Sequence, residues 1–309
     1  MNVLVEGIGS MVFGTQIPYY NELNWDIIGI DITNKSFGLY KVQKAYIVPK
    51  YSNCNCFNVI EKIIKDERID VVFPTVNEGL IAWSQKKQEY YDKYGTIVML
   101  SDEKIIKTCV DKWETYKFFC SNDIPTPKTS LEMKYDLLKP RIGRGSQGIY
   151  FKSDIKDKIN TINSNDYISQ DFIQGEEYTI DVLCDFDSKP VYIIPRKRLD
   201  IESGVSIKSV TVYDKIIIDY VKRIIEALKP IGIINIQCIK NENSVYFIEI
   251  NPRIAGGVSL SFASSDNWFK AIECFIKGKQ YIPKRIIYDN YMFRCYTDIV
   301  VHKKDLILE

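Results

Sequence analysis

Phe247-Ile248-Glu249-Ile250-Asn251-Pro252-Arg253 sets a carboxylate and an amide, two residues apart, into an otherwise apolar run. Alternate residues of a strand share a face, so Glu249 and Asn251 point the same way. Just upstream, Ile233 to Lys240 carries Asn235 and Gln237 at the same spacing, and with Val245 to Ile250 it predicts a hairpin of two buried strands. Polar side chains in such strands need partners, because each unpaired group costs about 1–3 kcal/mol. A cross-strand ladder of hydrogen bonds would satisfy the amides but accounts poorly for Glu249. Divalent cations would satisfy all of them: Mg²⁺ takes hard oxygen ligands and lets phosphate oxygens complete its octahedron.

Around the hairpin the chain reads as β-rich. Tyr178 to Asp185 and Pro190 to Pro195 are expected strands. Asp214 to Leu228 is an expected helix with Ile217, Val221, Ile224, Ile225 and Leu228 on one face, stopped by Lys229, Pro230 and Gly232. A last helix is expected over about Asp266 to Lys277. Further upstream, Tyr135 to Ile173 offers short strands around a glycine-rich turn, too few for a large core of their own. A helix over Asp111 to Ser121 precedes it, followed by an extended connector at Pro125 and Pro127. The first hundred residues differ again. Val3–Val5, Ile27–Ile30, Ile69–Phe73 and Ile97–Leu100 alternate with amphipathic stretches at Phe57–Lys65 and Gly79–Tyr91, the pattern of a doubly wound parallel sheet.

Three loops carry charge in places where chemistry can use it. In Leu137-Leu138-Lys139-Pro140-Arg141-Ile142-Gly143-Arg144-Gly145-Ser146-Gln147-Gly148, a lysine ends an apolar strand and glycines follow, so backbone N–H groups can close around phosphate oxygens. An ordinary hairpin turn explains it equally well. Ile168-Ser169-Gln170-Asp171-Phe172-Ile173-Gln174-Gly175-Glu176-Glu177 can offer backbone groups to an adenine edge and Glu177 to ribose hydroxyls, or serve as a polar hinge. Arg196-Lys197-Arg198 follows a strand and, taken alone, reads as a solvated turn; Arg253 adds a cation after the carboxylate–amide pair. Near the start, Gly7-x-Gly9-x-x-x-x-Gly14 with Asp31 approaches a dinucleotide fingerprint, with its third glycine one place late.

Composition narrows the classes. The chain has 309 residues, with 41 Lys and Arg against 40 Asp and Glu, so nothing in the balance calls for nucleic acid or an anionic membrane. Its only histidine, His302, excludes a Ser-His-Asp triad in the body of the chain and any multi-histidine metal centre. The eight cysteines include no C-x-x-C, and several lie in apolar runs, so reduced thiols and a cytoplasmic setting are expected. The start lacks the features of a signal peptide, and no uncharged run approaches membrane-spanning length.

In order and spacing, these segments resemble the ATP-grasp superfamily over nearly the whole chain. The closest likeness is to its carbamoyl-phosphate-synthase-like branch, which includes the pyrrolysine-biosynthesis ligase and amino-acid ligases. The resemblance implies an α/β and α+β architecture. An amino-terminal doubly wound domain (1–105) would be followed by a small nucleotide lid (106–175) and a β-rich catalytic part (176–309). It further implies ATP and Mg²⁺ (or Mn²⁺ in its place) as cofactors. Lys112 and Lys139 would contact the nucleotide. Gly143, Gly145, Ser146, Gln147 and Gly148 would close over the triphosphate. Gln170, Asp171, Phe172 and Ile173 would frame adenine, and Glu177 would hold ribose. Gln237, Glu249 and Asn251 would bind two metal ions, with Glu249 bridging; Gln237 stands where many members carry an acid. Arg253, Lys139 and Arg198 would serve the reacting groups, with Gly204–Ser206 near the acid and Glu78 near the amine. The implied activity is amide formation from a carboxylate and an amine through an acyl phosphate, with ADP and phosphate released. A homodimer is expected from the same branch. A silent nucleotide-binding regulator, a kinase of a non-carboxylate acceptor and an NAD(P)-dependent oxidoreductase using Gly7–Gly14 remain as alternatives.

Overall fold

Short continuous apolar runs, buried on both faces, alternate with helices in the first unit, Met1–Glu103 with Asn267–Tyr281 and Arg294–Glu309. The computed structural model describes all residues except 144, 146, 156–162, 203, 243, 296 and 307–309. In this unit β1 (Asn2–Glu6), α1 (Met11–Asn21), β2 (Asp26–Asp31), β3 (Lys44–Ile47), α2 (Cys56–Asp66), β4 (Val71–Phe73), α3 (Leu80–Tyr94) and β5 (Ile97–Val98) follow in order. The strands form a parallel sheet in the order β3-β2-β1-β4-β5, the doubly wound arrangement expected. The helix Trp268–Ile276 packs here as well, although it lies within the stretch 176–309. Its Phe269 ring stacks on Tyr20 with centroids 4.2 Å apart and meets Trp25 and Phe73, so aromatic burial assigns the helix its place.

The second unit is Lys104–Asp266 with Ile282–Phe293. It begins with α4 (Glu103–Val110) and α5 (Lys112–Ser121). The short strands β6 (Thr129–Ser130), β7 (Leu137–Pro140), β8 (Tyr150–Phe151) and β9 (Tyr167–Gln170) make a small antiparallel sheet in the order β6-β9-β7-β8. A larger antiparallel sheet holds β10 (Glu176–Cys184), β11 (Pro190–Glu202), β12 (Val205–Thr211), β13 (Gly232–Lys240), β14 (Val245–Asn251) and β15 (Tyr291–Phe293), in the order β14-β13-β10-β11-β12-β15. Two helices complete the unit, α6 (Lys215–Leu228) and α7 (Val258–Ala263).

The core of this unit lies on one face of the large sheet. Ile180 and Val182 of β10, Ile234, Ile236 and Cys238 of β13, and Phe247 and Ile250 of β14 pack there with the apolar stripe of α6. Ile217, Val221, Ile224, Ile225 and Leu228 are all buried, as the helical spacing predicts. Each such side chain stabilises by about 1.5–3 kcal/mol, so the stripe outweighs the Asp214 cap, worth about 1 kcal/mol. Phe247 and Ile250 differ in parity and still share this face. A bulge explains it: Gln237 pairs with Glu249 while Cys238 pairs with Phe247, leaving Ile248 as the extra residue. The bulge lets β14 enter from the core and still turn Glu249 and Asn251 to the opposite side. Among the described residues, no helix is long and apolar enough to cross a membrane.

Candidate active site

The face of the large sheet turned away from α6 carries the polar residues. Gln237 of β13 stands directly opposite Glu249 of β14, and Asn235 opposite Asn251. The two expected explanations can now be separated. Asn235 is used inside the protein, donating from Nδ2 to Asp181 at 2.9 Å. Gln237, Glu249 and Asn251 are not bonded to one another, nor does any other described residue hydrogen-bond to their side chains. No ladder therefore ties them together. They present a carboxylate and two amides on neighbouring strands, a set of hard oxygen donors suited to Mg²⁺. Among the described residues, no group of three or more His, Cys, Asp or Glu gathers into a metal cage. A metal at this place would draw its remaining ligands from phosphate and water, as Mg²⁺ commonly does.

Lys139 is the third of the four residues of β7, half-buried, and its Nζ donates to the Gln170 side chain at 2.7 Å. Gln170 is itself buried and passes the bond on to Thr129 Oγ1 at 2.9 Å. Burial pushes the Lys139 ammonium down to about 8, helped by Lys112 and opposed by Glu249 and Glu177. Those four charged groups therefore share one electrostatic neighbourhood. Lys112 opens α5. Its backbone N–H reaches Arg141 O at 2.9 Å, while the Arg141 guanidinium holds the capping Asp111 at 2.6 Å, which pins the helix start to the end of β7.

Asp171-Phe172-Ile173 runs outside any ladder between β9 and β10, with Asp171 and Phe172 exposed; the Asp171 N–H donates to Lys128 O at 2.8 Å, which leaves the Asp171 carbonyl and the backbone of Phe172 and Ile173 to a ligand edge. Glu177 is the second residue of β10 and accepts from Arg198 Nη1 at 3.0 Å. The Arg198 side chain also donates to Gly204 O at 2.8 Å and lies 3.4 Å from Ser206 Oγ. Burial lowers its guanidinium and Glu177 restores part of the loss; it stays charged at any ordinary pH. Arg253 follows β14 and folds back, its backbone N–H on Asn251 O at 2.9 Å and its Nη1 on Ile254 O at 3.1 Å. Gly143, Gly145, Gln147 and Gly148 form the turn after β7, with Gly145 and Gly148 at φ +63° and +72°; Ser146 lies outside the described residues.

The first unit's glycine loop has its own partners. Gly9 N–H donates to Asp31 Oδ2 at 2.7 Å and Ile32 N–H to Oδ1 at 2.7 Å, so both oxygens of the acid in the dinucleotide-like pattern are engaged by backbone. Beside it, Glu6 is buried at the carboxyl end of β1. It accepts from Tyr51, Trp83 and the backbone of Thr75 and Val76, and burial raises its carboxyl despite these donors.

Two family models match the chain. Residues 109–257 match the ATP-grasp domain family, and residues 4–99 match the PylC-like N-terminal domain. Those residues, 109–257, make up an ATP-grasp domain. It is 30% identical over 176 residues to the carbamoyl phosphate synthase large chain of Agathobacter rectalis, covering 50% of this chain and 16% of that one. It is 25% identical over 270 residues to the tyramine–L-glutamate ligase of Methanocaldococcus jannaschii, 82% of this chain and 77% of the relative. The fold matches that of the L-amino acid ligase from Bacillus licheniformis with a TM-score of 0.71 at 14% identity, over 89% of this chain and 74% of that one. It also matches the biotin carboxylase domain of Hydrogenobacter thermophilus 2-oxoglutarate carboxylase, with a TM-score of 0.71 at 15% identity, over 94% and 73%.

In this ATP-grasp domain, sequence reasoning misplaced Arg196. It is no solvated turn residue: it sits inside β11, which runs on to Glu202, and is 1% exposed. Its partner Asp181 was overlooked. The available signal was an acid in the middle of the apolar strand Tyr178–Cys184, which requires a buried cation nearby. Gly204, expected near the acid, also shapes the backbone. At φ +77° it turns β11 into β12, and a Cβ there would lie 2.6 Å from Gly145 Cα. Gly204→Ala is expected to cost about 1–2 kcal/mol from the left-handed backbone alone, read by urea denaturation. It should also push the 143–148 turn away, seen as faster proteolysis within that turn.

Proposed function

We propose that the chain is an ATP-dependent carboxylate–amine ligase. The observation that carries this is the trio Gln237, Glu249 and Asn251, whose side chains have no hydrogen-bond partner among the described residues, beside a lysine whose charge is costly to bury. A buried ammonium and unpaired oxygen donors both gain from a bound polyphosphate with its divalent cations. The relatives support the same reading: one is named for joining tyramine with L-glutamate, another is an L-amino acid ligase, and the biotin carboxylase domain was solved with MgADP. The first relatives are far longer, and this chain spans 16% of their length.

The residues divide the work as follows. Lys139, held by Gln170, neutralises phosphate oxygens, with Lys112 adding charge from the start of α5. The turn Gly143–Gly148 supplies backbone N–H groups over the triphosphate. The backbone of Asp171 to Ile173 receives adenine, with Phe172 exposed beside it. Glu177 takes ribose hydroxyls and shares Arg198 while doing so. Gln237, Glu249 and Asn251 would hold Mg²⁺, which offsets charge on the phosphates as they transfer. A substrate carboxylate oxygen attacks the γ-phosphorus, the bond to the bridging β–γ oxygen breaks, and ADP leaves. Arg253 steadies the acyl phosphate. The amine then attacks the acyl carbon, phosphate departs with the bonding electron pair, and the amine's proton passes to solvent or phosphate. Little acid–base machinery is needed, in keeping with the single histidine. The substrates are small molecules.

Two coarser features belong to the same proposal. Subunit pairing is supported by the outermost strand β15, whose Tyr291 and Phe293 rings stack in the open. A reducing, cytoplasmic setting is supported by eight free thiols, four of them buried.

The test is ADP release with Mg²⁺ across a panel of carboxylates, each with and without amines. Sustained ADP release that needs both substrates, with matching amide, is the expected result. Tight ATP binding with no release under any mixture would instead identify a silent nucleotide-binding protein.

A further inference from the structure

Arg196 and Asp181 form the most deeply buried ion pair among the described residues, with side chains 1% and 0% exposed. Arg196 Nε meets Asp181 Oδ2 at 2.7 Å and Nη2 meets Oδ1 at 3.2 Å. Asp181 also accepts from Asn235 at 2.9 Å and from Ser261 at 2.6 Å, so both its oxygens are filled. Three strands and α7 thus meet at one carboxylate. Removing two charges from water is expensive, and apolar residues of similar volume commonly serve stability as well or better. Stability alone is a poor reason for such a pair.

Its location suggests a better one. Asp181 is paired in register with Asn235, and Asn235 with Asn251, so the network shares a row of the sheet with one member of the metal-binding trio. Ser261 lies in α7, and the turn from Arg253 to Gly257 connects β14 to that helix. The turn is tied to β14 by the Arg253 N–H on Asn251 O, and to α7 by the Leu260 N–H on Gly257 O. Gly257 rests directly on the guanidinium: a Cβ there would stand 2.4 Å from Arg196 Nη1 and 2.8 Å from Cζ. That same Nη1 is buried and has no hydrogen-bond partner among the described residues. A lone buried donor facing a backbone turn provides a seat for one of the turn's carbonyls whenever the turn moves toward it.

We propose that Arg196 is a positioning residue for the ligase reaction: braced by Asp181, it sets the height of the Arg253–Gly257 turn and so the placement of Arg253 against the acyl phosphate. The inference rests on the ligase reading. Its effect should fall on the second half-reaction. A misplaced turn leaves the nucleotide residues untouched but exposes the acyl phosphate to water before the amine arrives, and a displacement near 1 Å can cost about 100-fold in rate.

The experiment uses the full chain with Arg196→Lys, and Gly257→Ala as the independent variant that displaces the guanidinium without removing it. Amide formation should fall by about tenfold or more, with ATP affinity within about twofold of the parent, and the ratio of amide to ADP should drop because ATP is spent on hydrolysis. Hydrogen exchange should quicken at 253–260 and stay unchanged in β13. A merely structural role would lower amide and ADP together, keep their ratio, and loosen β13 as well. An unchanged amide-to-ADP ratio in both variants overturns the inference. The exchange measurement needs no turnover, so slow, unaltered exchange at 253–260 overturns it even if the ligase reading itself fails for want of any ADP release by the parent chain.

Discussion

Glu249→Ala is expected to reduce ADP release by about 100- to 1,000-fold at saturating Mg²⁺, the factor that corresponds to about 3–4 kcal/mol of lost charge stabilisation. Glu249 is the only carboxylate in the trio, stands opposite Gln237, and is hydrogen-bonded to no described residue. The protein spends none of its fold on this side chain, so the variant should remain folded, with a denaturation midpoint close to the parent's. Glu249→Gln separates charge from shape: it preserves the outline and removes the anion, and it should fail almost as badly. There is a second consequence at Lys139. Glu249 is the leading group that raises the Lys139 ammonium against burial. Without it, that ammonium should lose its proton at a lower pH than the parent's. Normal turnover by Glu249→Ala would remove the metal assignment and, with it, the ligase proposal.

Lys139→Met should weaken ATP binding by about 10- to 100-fold, the loss expected when a charge-assisted hydrogen bond of about 1.5–3 kcal/mol disappears. Its dependence on pH is the more telling measurement. In the free protein the side chain is held at about 8, chiefly by burial, so it carries its proton below that value and loses it above. ATP affinity should therefore fall as pH rises through about 8, and binding near that pH should take up a proton from buffer, which calorimetry in buffers of different ionisation enthalpy detects. Lys139→Met should abolish both effects. For folding the direction is opposite. The unfolded lysine titrates near its ordinary 10.5, so between about 8 and 10.5 the unfolded chain binds the additional proton. This group's contribution to stability thus rises with pH across that window, while its full penalty applies below it. An ATP affinity flat between pH 7 and 9 would place Lys139 away from the phosphates.

Much of the fold was legible in the residue order. The parallel sheet of the first unit, the hairpin β13–β14 and the apolar stripe of α6 all depend on local periodicity, and each formed where the spacing predicts it. The site was legible in part. Glu249, Asn251 and Gln237 stood out because acids and amides among isoleucines must be accounted for, and Lys139 because it closes a strand ahead of glycines. Arg196 was misjudged since three cations in a row look solvated until the next strand is known. Asp181, the partner that draws one of them inside, is 15 residues away. The helix Trp268–Ile276 shows the same limit from the apolar side: the helix was expected, but the rings it stacks on belong to the first hundred residues.

The amino-acid sequence by itself determined the elements, their faces and the kind of atoms presented on them, because those follow from the repeat of a helix or strand. The tertiary structure alone decided which of those atoms are already satisfied. The Asn235 side chain has a partner across the sheet while that of Gln237, two residues on, has none among the described residues, and the Ile248 bulge turns Glu249 out of the core. Satisfaction of a polar group depends on neighbours brought together by folding across long stretches of chain, and no local spacing encodes it.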